Sequence, residues 1–475
     1  MEIMNVKQAA KAVKGTIIHG DTDIYISSVS TNSKELENGA LFVPIVGEVH
    51  DAHDFIEDAY KHGAVACFTS KNDVYHEGIV CIKVEDTLRA LQDLASYYRN
   101  QFDISLIGIT GSVGKTTTKE MISAALATKY KTLKTAGNMN SQVGLPLMML
   151  RIEKEHDIAV IEMGISQENE MQRLSSIARP DLSVLINIGV SHIEQLKTKE
   201  NIRKEKLCII NNSKEDSYLF INGDDPLLRD IKDNKYSQNS ANRCLYEKTQ
   251  AKIKTTKVIT FGIKDNFAYR AKNIRFTNGK TYFTLINSLE HTEDEIVLNT
   301  LGEHNVNNAL CALAIANYYN IPTYLAKKGL EEYRPLAMRG EIKKVNGITI
   351  IDDTYNASPD SMKSGIDVLL SLRDVKRKIA VLADVLELGS LSQKCHKEVG
   401  IYISDKDVDE LITIGSQAKF IAQGVSDNNK DIIINSFKNN EEAIGYLKET
   451  IKTGDAMLVK GSRGMKTEEL VNAFL

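Results

Sequence analysis

The ten residues from Gly108 to Thr117, Gly-Ile-Thr-Gly-Ser-Val-Gly-Lys-Thr-Thr, have the composition of a phosphate site. They follow an apolar run, Ile104–Ile109, and open a helical pattern from Thr116 to Lys129. Where a strand turns into a helix, backbone N–H groups and the positive end of the helix together attract anions. In that frame Lys115 neutralises the β- and γ-phosphates of a nucleotide and the Thr116 hydroxyl ligates Mg2+. The whole loop, Thr110, Gly111, Ser112, Val113, Gly114, Lys115, Thr116 and Thr117, is the expected nucleotide cradle. The common spacing Gly-x-x-x-x-Gly-Lys-Ser/Thr is not met, because Ile109 stands where its first glycine belongs.

Ligands of open parallel sheets bind beyond the carboxyl ends of the strands. Two residues useful to a metal–phosphate centre fall there. Glu162 ends the strand expected over Asp157–Glu162, and His192 follows the one expected over Leu182–Ile188. Alone, such an acid is more often a helix cap or solvated and such a histidine more often structural; together beside the loop they read as metal ligands. Lys206 shares a helix face with Ile202 and Ile210, while Arg203 and Lys204 point elsewhere. A lysine on an apolar stripe either snorkels or is desolvated. Desolvation lowers its pKa and exposes a neutral amine. Such an amine captures CO2 as a carbamate, an anion able to help hold a second Mg2+.

The elements that must position these groups divide into three α/β domains. A small N-terminal α/β domain, residues 1–86, has β-rich runs at Ile24–Val29, Ala40–Pro44, Val65–Phe68 and Ile79–Val84 and a helical stretch at Phe55–His62. A connecting helix over Thr87–Tyr98 opens a central domain, residues 87–333, of phosphate-loop type with a mostly parallel sheet. Its strands are those named above and Tyr218–Ile221, followed by an antiparallel piece, Tyr269–Leu298, with a hairpin at Asn278-Gly279 and a closing helix, Asn305–Tyr318. The C-terminal domain, residues 334–475, has strands at Ile348–Asp352, Ile379–Ala383, Glu410–Ile414, Asp431–Ile434 and Ala456–Val459. It is Rossmann-like without a dinucleotide fingerprint: no Gly-x-Gly-x-x-Gly follows its first strand, so NAD binding is rejected. Hinges near residues 87–103 and 334 would let the domains close and exclude water.

Composition narrows the class further. The 475 residues carry 59 basic and 63 acidic side chains, a net charge of -4, which excludes a nucleic-acid footprint or a polybasic membrane anchor. No apolar run reaches the roughly 18 residues of a membrane span, and Met1 to Gly15 lacks the apolar core of a secretory signal. The six cysteines (Cys67, Cys81, Cys208, Cys244, Cys311, Cys395) form no Cys-x-x-Cys pair, which predicts a reducing, cytoplasmic setting.

These residues and several longer motifs resemble the Mur ligases of peptidoglycan synthesis, ATP-dependent amide-bond formers, over nearly the whole chain. The wider family shares Thr110–Thr117, Glu162, His192, Lys206 within Glu-Lys-Leu-Cys-Ile, and Gly302-Glu-His-Asn-Val-Asn-Asn-Ala309. Four motifs are particular to the branch that joins D-alanyl-D-alanine to UDP-N-acetylmuramoyl-tripeptide. They are Gly137-Asn-Met-Asn-Ser-Gln-Val-Gly-Leu-Pro146, Ile351-Asp-Asp-Thr-Tyr-Asn-Ala-Ser-Pro-Asp-Ser-Met362, Ala383-Asp-Val-Leu-Glu-Leu-Gly389 followed by His396, and Lys460-Gly-Ser-Arg-Gly-Met465.

The resemblance implies an acyl-phosphate mechanism with ATP and Mg2+. Under it Lys115, Glu162, His192, Lys206 and Asp353 are catalytic, and Thr116, Glu162, His192 and carbamylated Lys206 hold metal. Asn305 and Arg339 contact adenosine; by residue type alone Asn305 is a helix N-cap. Asn138 and Ser141 position the muramoyl peptide. Asp352, Asp353, Asn356, Ser462 and Arg463 meet the nucleotide or the incoming amine, although Asn356 also reads as turn chemistry and Ser462-Arg463 as a plain loop. Asp353 and His396 are the two candidates for the general base. Ser30-Thr-Asn-Ser33-Lys34, Gly47 and Asp51-Ala-His-Asp54 resemble the uridine-diphosphate site, with Ala52 for a usual glycine and Asn32-Ser33-Lys34 for Asp-Ser-Arg. The family leans toward monomers. Two alternatives stay open: a MurE-type or folylpolyglutamate-type ligase adding a free amino acid, and a non-catalytic subunit using ATP as a switch.

Overall fold

The computed structural model describes residues 1–47, 49–72, 76–232, 246–428 and 431–475; Cys244 lies outside them. Three α/β units follow one another, each on its own sheet. In the first, Thr16–His19, Val80–Lys83, Ala64–Thr69, Ala40–Phe42 and Ser28–Ser30 lie side by side in that order. All pairs are parallel except the first.

The central sheet has nine strands. Parallel pairing begins at the edge strand Thr132–Lys134 and runs through Ile158–Glu162, Ser105–Thr110, Leu182–Leu185, Tyr218–Asn222 and Lys257–Gly262 to Tyr269–Thr277. Lys280–Asn287 and Thr292–Leu298 then continue it antiparallel. Successive strand side chains point to opposite faces, so an unbroken apolar strand must feed two cores. It does: Leu106, Ala159, Ile161 and Leu185 join one apolar cluster, while Ile107, Val160, Val184 and Phe220 join the other. The second cluster takes in the helices Lys115–Leu126 and Glu303–Tyr318, which therefore lie on one face of the sheet.

The predicted connecting helix spans Thr87–Arg99 and is not a free linker. Tyr98 donates its hydroxyl to the Ile152 carbonyl at 2.7 Å, and Arg99 donates to the carbonyls of Ala178, Phe102 and Ile104. These bonds fasten its C-terminal end to the central unit, while Thr87 at its start donates to the Pro44 carbonyl of the first unit.

The C-terminal sheet is ordered Glu341–Val345, Ile348–Asp352, Ala456–Lys460, Lys378–Ala383, Glu410–Ile414, Ile433–Phe437, parallel beyond its first hairpin. That hairpin turns on Asn346 (φ 52°) and Gly347 (φ 78°), just as the central one turns on Asn278 (φ 52°) and Gly279 (φ 72°). Positive φ at both turn positions matches the right-handed twist of the strands. Among the described residues no helix is long and apolar enough to cross a membrane.

Candidate active site

The strand Ser105–Thr110 delivers the loop and the helix Lys115–Leu126 leaves it. The N-cap is Gly114 at φ 88°, a left-handed position that glycine occupies without strain. Asn187, just past the strand Leu182–Leu185, braces the loop. Its Oδ1 accepts from the N–H groups of Ser112 (3.0 Å) and Val113 (2.9 Å), and its Nδ2 donates to the Val113 carbonyl. Under the helix start, Thr118 donates to Asn308 Oδ1, and Asn308 Nδ2 donates to Asn305 Oδ1. Asn305 itself donates to the Leu301 carbonyl and Thr300 Oγ1. It is not the N-cap, since that helix starts at Glu303 with Gly302 as cap.

Two lysines converge on one carbonyl. Lys115 Nζ donates to the Gly111 oxygen at 2.8 Å, and Lys206 Nζ reaches the same oxygen at 3.1 Å. Burial lowers the pKa of both. For Lys206 the drop is large, the Lys115 charge adding to burial and Glu205 opposing; for Lys115, Glu162 opposes and Arg339 adds. Lys206 is 2% exposed, so it is desolvated and does not snorkel. Its helix ends at Leu207, so Ile210 belongs to the following 3-10 turn, and Arg203, expected to point away, is buried too.

Glu162 closes its strand, 1% exposed. Its Oε2 accepts from Thr116 Oγ1 and Asn140 Nδ2, each at 3.3 Å. Its Oε1 is buried without a hydrogen-bond partner among the described residues, 3.4 Å from Lys119 Nζ. A buried carboxylate whose Oε2 sits beside a hydroxyl suits a hard divalent cation. Among the described residues no cluster of three or more His, Cys, Asp and Glu could hold a metal alone. His192, at φ 60°, sets Nδ1 2.7 Å from Glu387 Oε2 of the C-terminal domain. Burial lowers its pKa, with Glu387 opposing and Lys206 and Lys115 adding.

A cavity of about 900 Å³ joins these groups to the C-terminal domain. It is lined by the loop from Ser112 to Thr117 and by Asn138, Ser141, Glu162, His192, Asn305, Arg339, Asp353 and Asn356, all expected from the sequence. Thr110, Gly111 and Lys206 stand behind that lining. Arg339 lays its guanidinium 3.8 Å from the Tyr355 ring centroid. Asp353 Oδ2 is ion-paired at 2.5 Å with Lys460, which also donates to the Asn356 carbonyl.

Several expectations need correction. Asp352 is buried, held by Lys343 (2.6 Å) and Thr354 (2.7 Å), and serves its own domain. His396 is no general base for the cavity. Its Nδ1–H donates to the Ser392 carbonyl of its own helix and its Nε2 accepts from the Val385 N–H, so both nitrogens are engaged and the second anchors the 384–389 loop. Ser462 accepts from the Leu386 N–H and braces that loop, and Arg463 pairs with Glu468 at 3.0 Å. Neither lines the cavity. Ser33 donates to Asp58 within the N-terminal domain and Lys34 is exposed; among the described residues that domain contributes nothing to the lining.

Models of the Mur ligase family match in sequence along the chain. The family's catalytic domain covers residues 25–99, its middle domain 109–316, and its glutamate ligase domain 338–463. A UDP-N-acetylmuramoyl-tripeptide–D-alanyl-D-alanine ligase of Bacillus subtilis is 39% identical over 99% of this chain and 98% of its own length. The chain belongs to the Mur ligase family. Among solved structures this Mur ligase is similar to MurF of Acinetobacter baumannii, with a TM-score of 0.88 and 27% identity over 100% of this chain and 99% of that one. It is also similar to MurF ligase of Thermotoga maritima in complex with ADP, with a TM-score of 0.80 and 29% identity over 94% and 96% of the two chains.

Sequence reasoning missed part of this Mur ligase's site. Asn140 and Lys119 against Glu162, Asn187 under the loop, His304 and Lys460 in the cavity wall, and Glu387 against His192 were not singled out. Asn140, His304, Glu387 and Lys460 stand inside motifs quoted above, but only the three-dimensional contact assigns their partners.

Proposed function

We propose that the chain joins D-alanyl-D-alanine to UDP-N-acetylmuramoyl-tripeptide at the expense of ATP, in the cytoplasm and as a monomer. The observation that carries this is the single cavity in which Lys115, Thr116, Glu162 and His192 of the middle domain face Asp353 and Lys460 of the ligase domain. The substrates are those of the Bacillus subtilis relative, a UDP-N-acetylmuramoyl-tripeptide–D-alanyl-D-alanine ligase matched along nearly its whole length. Residues 1–86 take the uridine nucleotide, 87–333 the ATP, and 334–475 the incoming dipeptide.

A carboxylate does not acylate an amine at neutral pH, because its oxygen is a poor leaving group. Transfer of the γ-phosphoryl group to that oxygen yields ADP and an acyl phosphate. The dipeptide amine then attacks the carbonyl carbon, the C–O bond breaks, inorganic phosphate leaves, and the nitrogen gives up a proton. Lys115 and the loop N–H groups offset the repulsion between the two anions. Thr116 and Glu162 are the residues that would hold Mg2+, with His192 and Lys206 toward a second ion; the metal supplies charge neutralisation on the transferring phosphoryl group. Lys206 is carbamylated in this reading. Two ammonium groups sharing the Gly111 carbonyl repel, whereas a carbamate on Lys206 attracts Lys115. Asp353, fixed by Lys460, orients the incoming ammonium and takes its proton.

The test omits each substrate in turn and measures ADP release. Release that needs both the uridine-linked tripeptide and D-alanyl-D-alanine supports the proposal. Release driven by a free amino acid overturns it in favour of a sibling ligase, and nucleotide binding without turnover overturns it in favour of a switch.

A further inference from the structure

We infer that Glu387 is a positioning residue for His192, supplied by the C-terminal domain, so that the nucleotide and metal centre reaches its working geometry only when that domain is seated. The inference rests on the ligase reading and adds a residue to it. The contact joins two domains: His192 Nδ1 and Glu387 Oε2 lie 2.7 Å apart, and beside them the Glu194 N–H donates to the Glu387 carbonyl at 3.3 Å. Both partners hold left-handed backbone, φ 60° at His192 and φ 61° at Glu387, a strain that persists where surroundings over-determine it.

The loop that carries Glu387 is anchored from several sides. Asp384 accepts from the N–H groups of Ser416, Gln417 and Ala418. His396 accepts from Val385 and Ser462 from Leu386. Glu387 therefore arrives as part of a rigid element and cannot follow His192 if the domain moves. Chemically, a carboxylate on Nδ1–H fixes one tautomer and leaves the Nε2 lone pair, and His192 lines the nucleotide cavity. A carboxylate behind a histidine both aims the ring and raises its basicity as a ligand, a contribution worth about 10–100-fold in metal affinity. It offers little to folding, since the Glu387 side chain is 62% exposed.

The test uses the full-length protein with Mn2+ and a non-hydrolysable ATP analogue, titrated by electron paramagnetic resonance, together with nitrogen-15 shifts of His192 in metal-free protein. Glu387→Ala is expected to weaken Mn2+ binding about 10–100-fold and to release the ring into a mixture of tautomers, with the melting temperature unchanged. Glu387→Gln keeps an acceptor for Nδ1–H but not the charge, and is expected to hold one tautomer and to bind Mn2+ with an affinity between those of the wild type and the Ala variant. An unchanged Mn2+ affinity and tautomer in Glu387→Ala overturns the inference, as does a Gln variant as weak as the Ala variant. Failure of the wild type to release ADP with D-alanyl-D-alanine would instead strike the ligase reading, and it leaves the Mn2+ comparison legible.

Discussion

Gly144→Ala tests whether the Gly137–Pro146 loop sets the position of the acid substrate. Gly144 is the first residue of the helix Gly144–Met149 and its φ is not left-handed, so alanine suits its backbone. The obstacle is across the loop. A Cβ at 144 would stand 2.5 Å from Met139 Cα and 2.7 Å from its carbonyl carbon. Ordinary contact begins at 3.4 Å, so Met139 must retreat by about 1 Å, and a backbone atom has no rotamer to escape into. Asn138 in the cavity wall and Asn140 on Glu162 move with it. A displacement of about 1 Å at reacting groups costs on the order of 100-fold in rate. Overpacking costs about 1–3 kcal/mol of stability, against roughly 1 kcal/mol gained by alanine in a helix. The assay is kcat/KM for the uridine-linked tripeptide beside ADP affinity by calorimetry. We expect kcat/KM to fall about 100-fold and ADP affinity to stay within about threefold, because the phosphate loop is untouched. A kcat/KM within threefold of wild type would refute the reasoning.

Three further outcomes follow from buried groups. Lys206→Ala should depress turnover about 100-fold, far more than it lowers stability in urea denaturation; intact wild-type mass should show one added CO2, and bicarbonate removal should slow turnover. Tyr98→Phe should cost about 1–2 kcal/mol in urea denaturation, because it deletes the hydroxyl that donates to Ile152 and accepts from Glu2 while burial keeps Tyr98 protonated up to about 12. His396, its pKa lowered by burial, binds a proton less readily folded than unfolded, so stability should fall as pH drops below about 7 through the folded-state pKa. His396→Gln should flatten that slope in melts between about pH 5 and 7; an unchanged slope would contradict the assignment.

The parallel strands were legible because burial on both faces leaves an almost unbroken apolar run, as in Ser105–Thr110 and Ile158–Glu162. Lys257–Gly262 escaped notice because its first half is partly exposed and begins with lysine. Glu341–Val345 was hidden by its polar edge character, although Asn346-Gly347 is the same turn signal used at Asn278-Gly279. The phosphate loop and Glu162 were readable because each sits at a strand end, where topology alone brings them together; His192 lies farther on, past Leu185 and just before the helix Ile193–Leu196. His192 with Glu387, Asp353 with Lys460, and the burial of Arg203 depend on contacts between distant segments, which no local spacing encodes. His396 shows the converse: a histidine in a telling motif whose two nitrogens are spent on backbone.

Activation of a carboxylate by phosphoryl transfer in the shared cavity is the step on which every other residue role depends. The most direct measurement supplies the uridine-linked tripeptide with oxygen-18 in its terminal carboxylate and follows the label by mass spectrometry. One labelled oxygen should pass into the inorganic phosphate released with the amide, at the same rate as ADP appears. Unlabelled phosphate beside normal amide formation would mean that no acyl phosphate forms, and the roles given to Lys115, Glu162 and Lys206 would have to be abandoned.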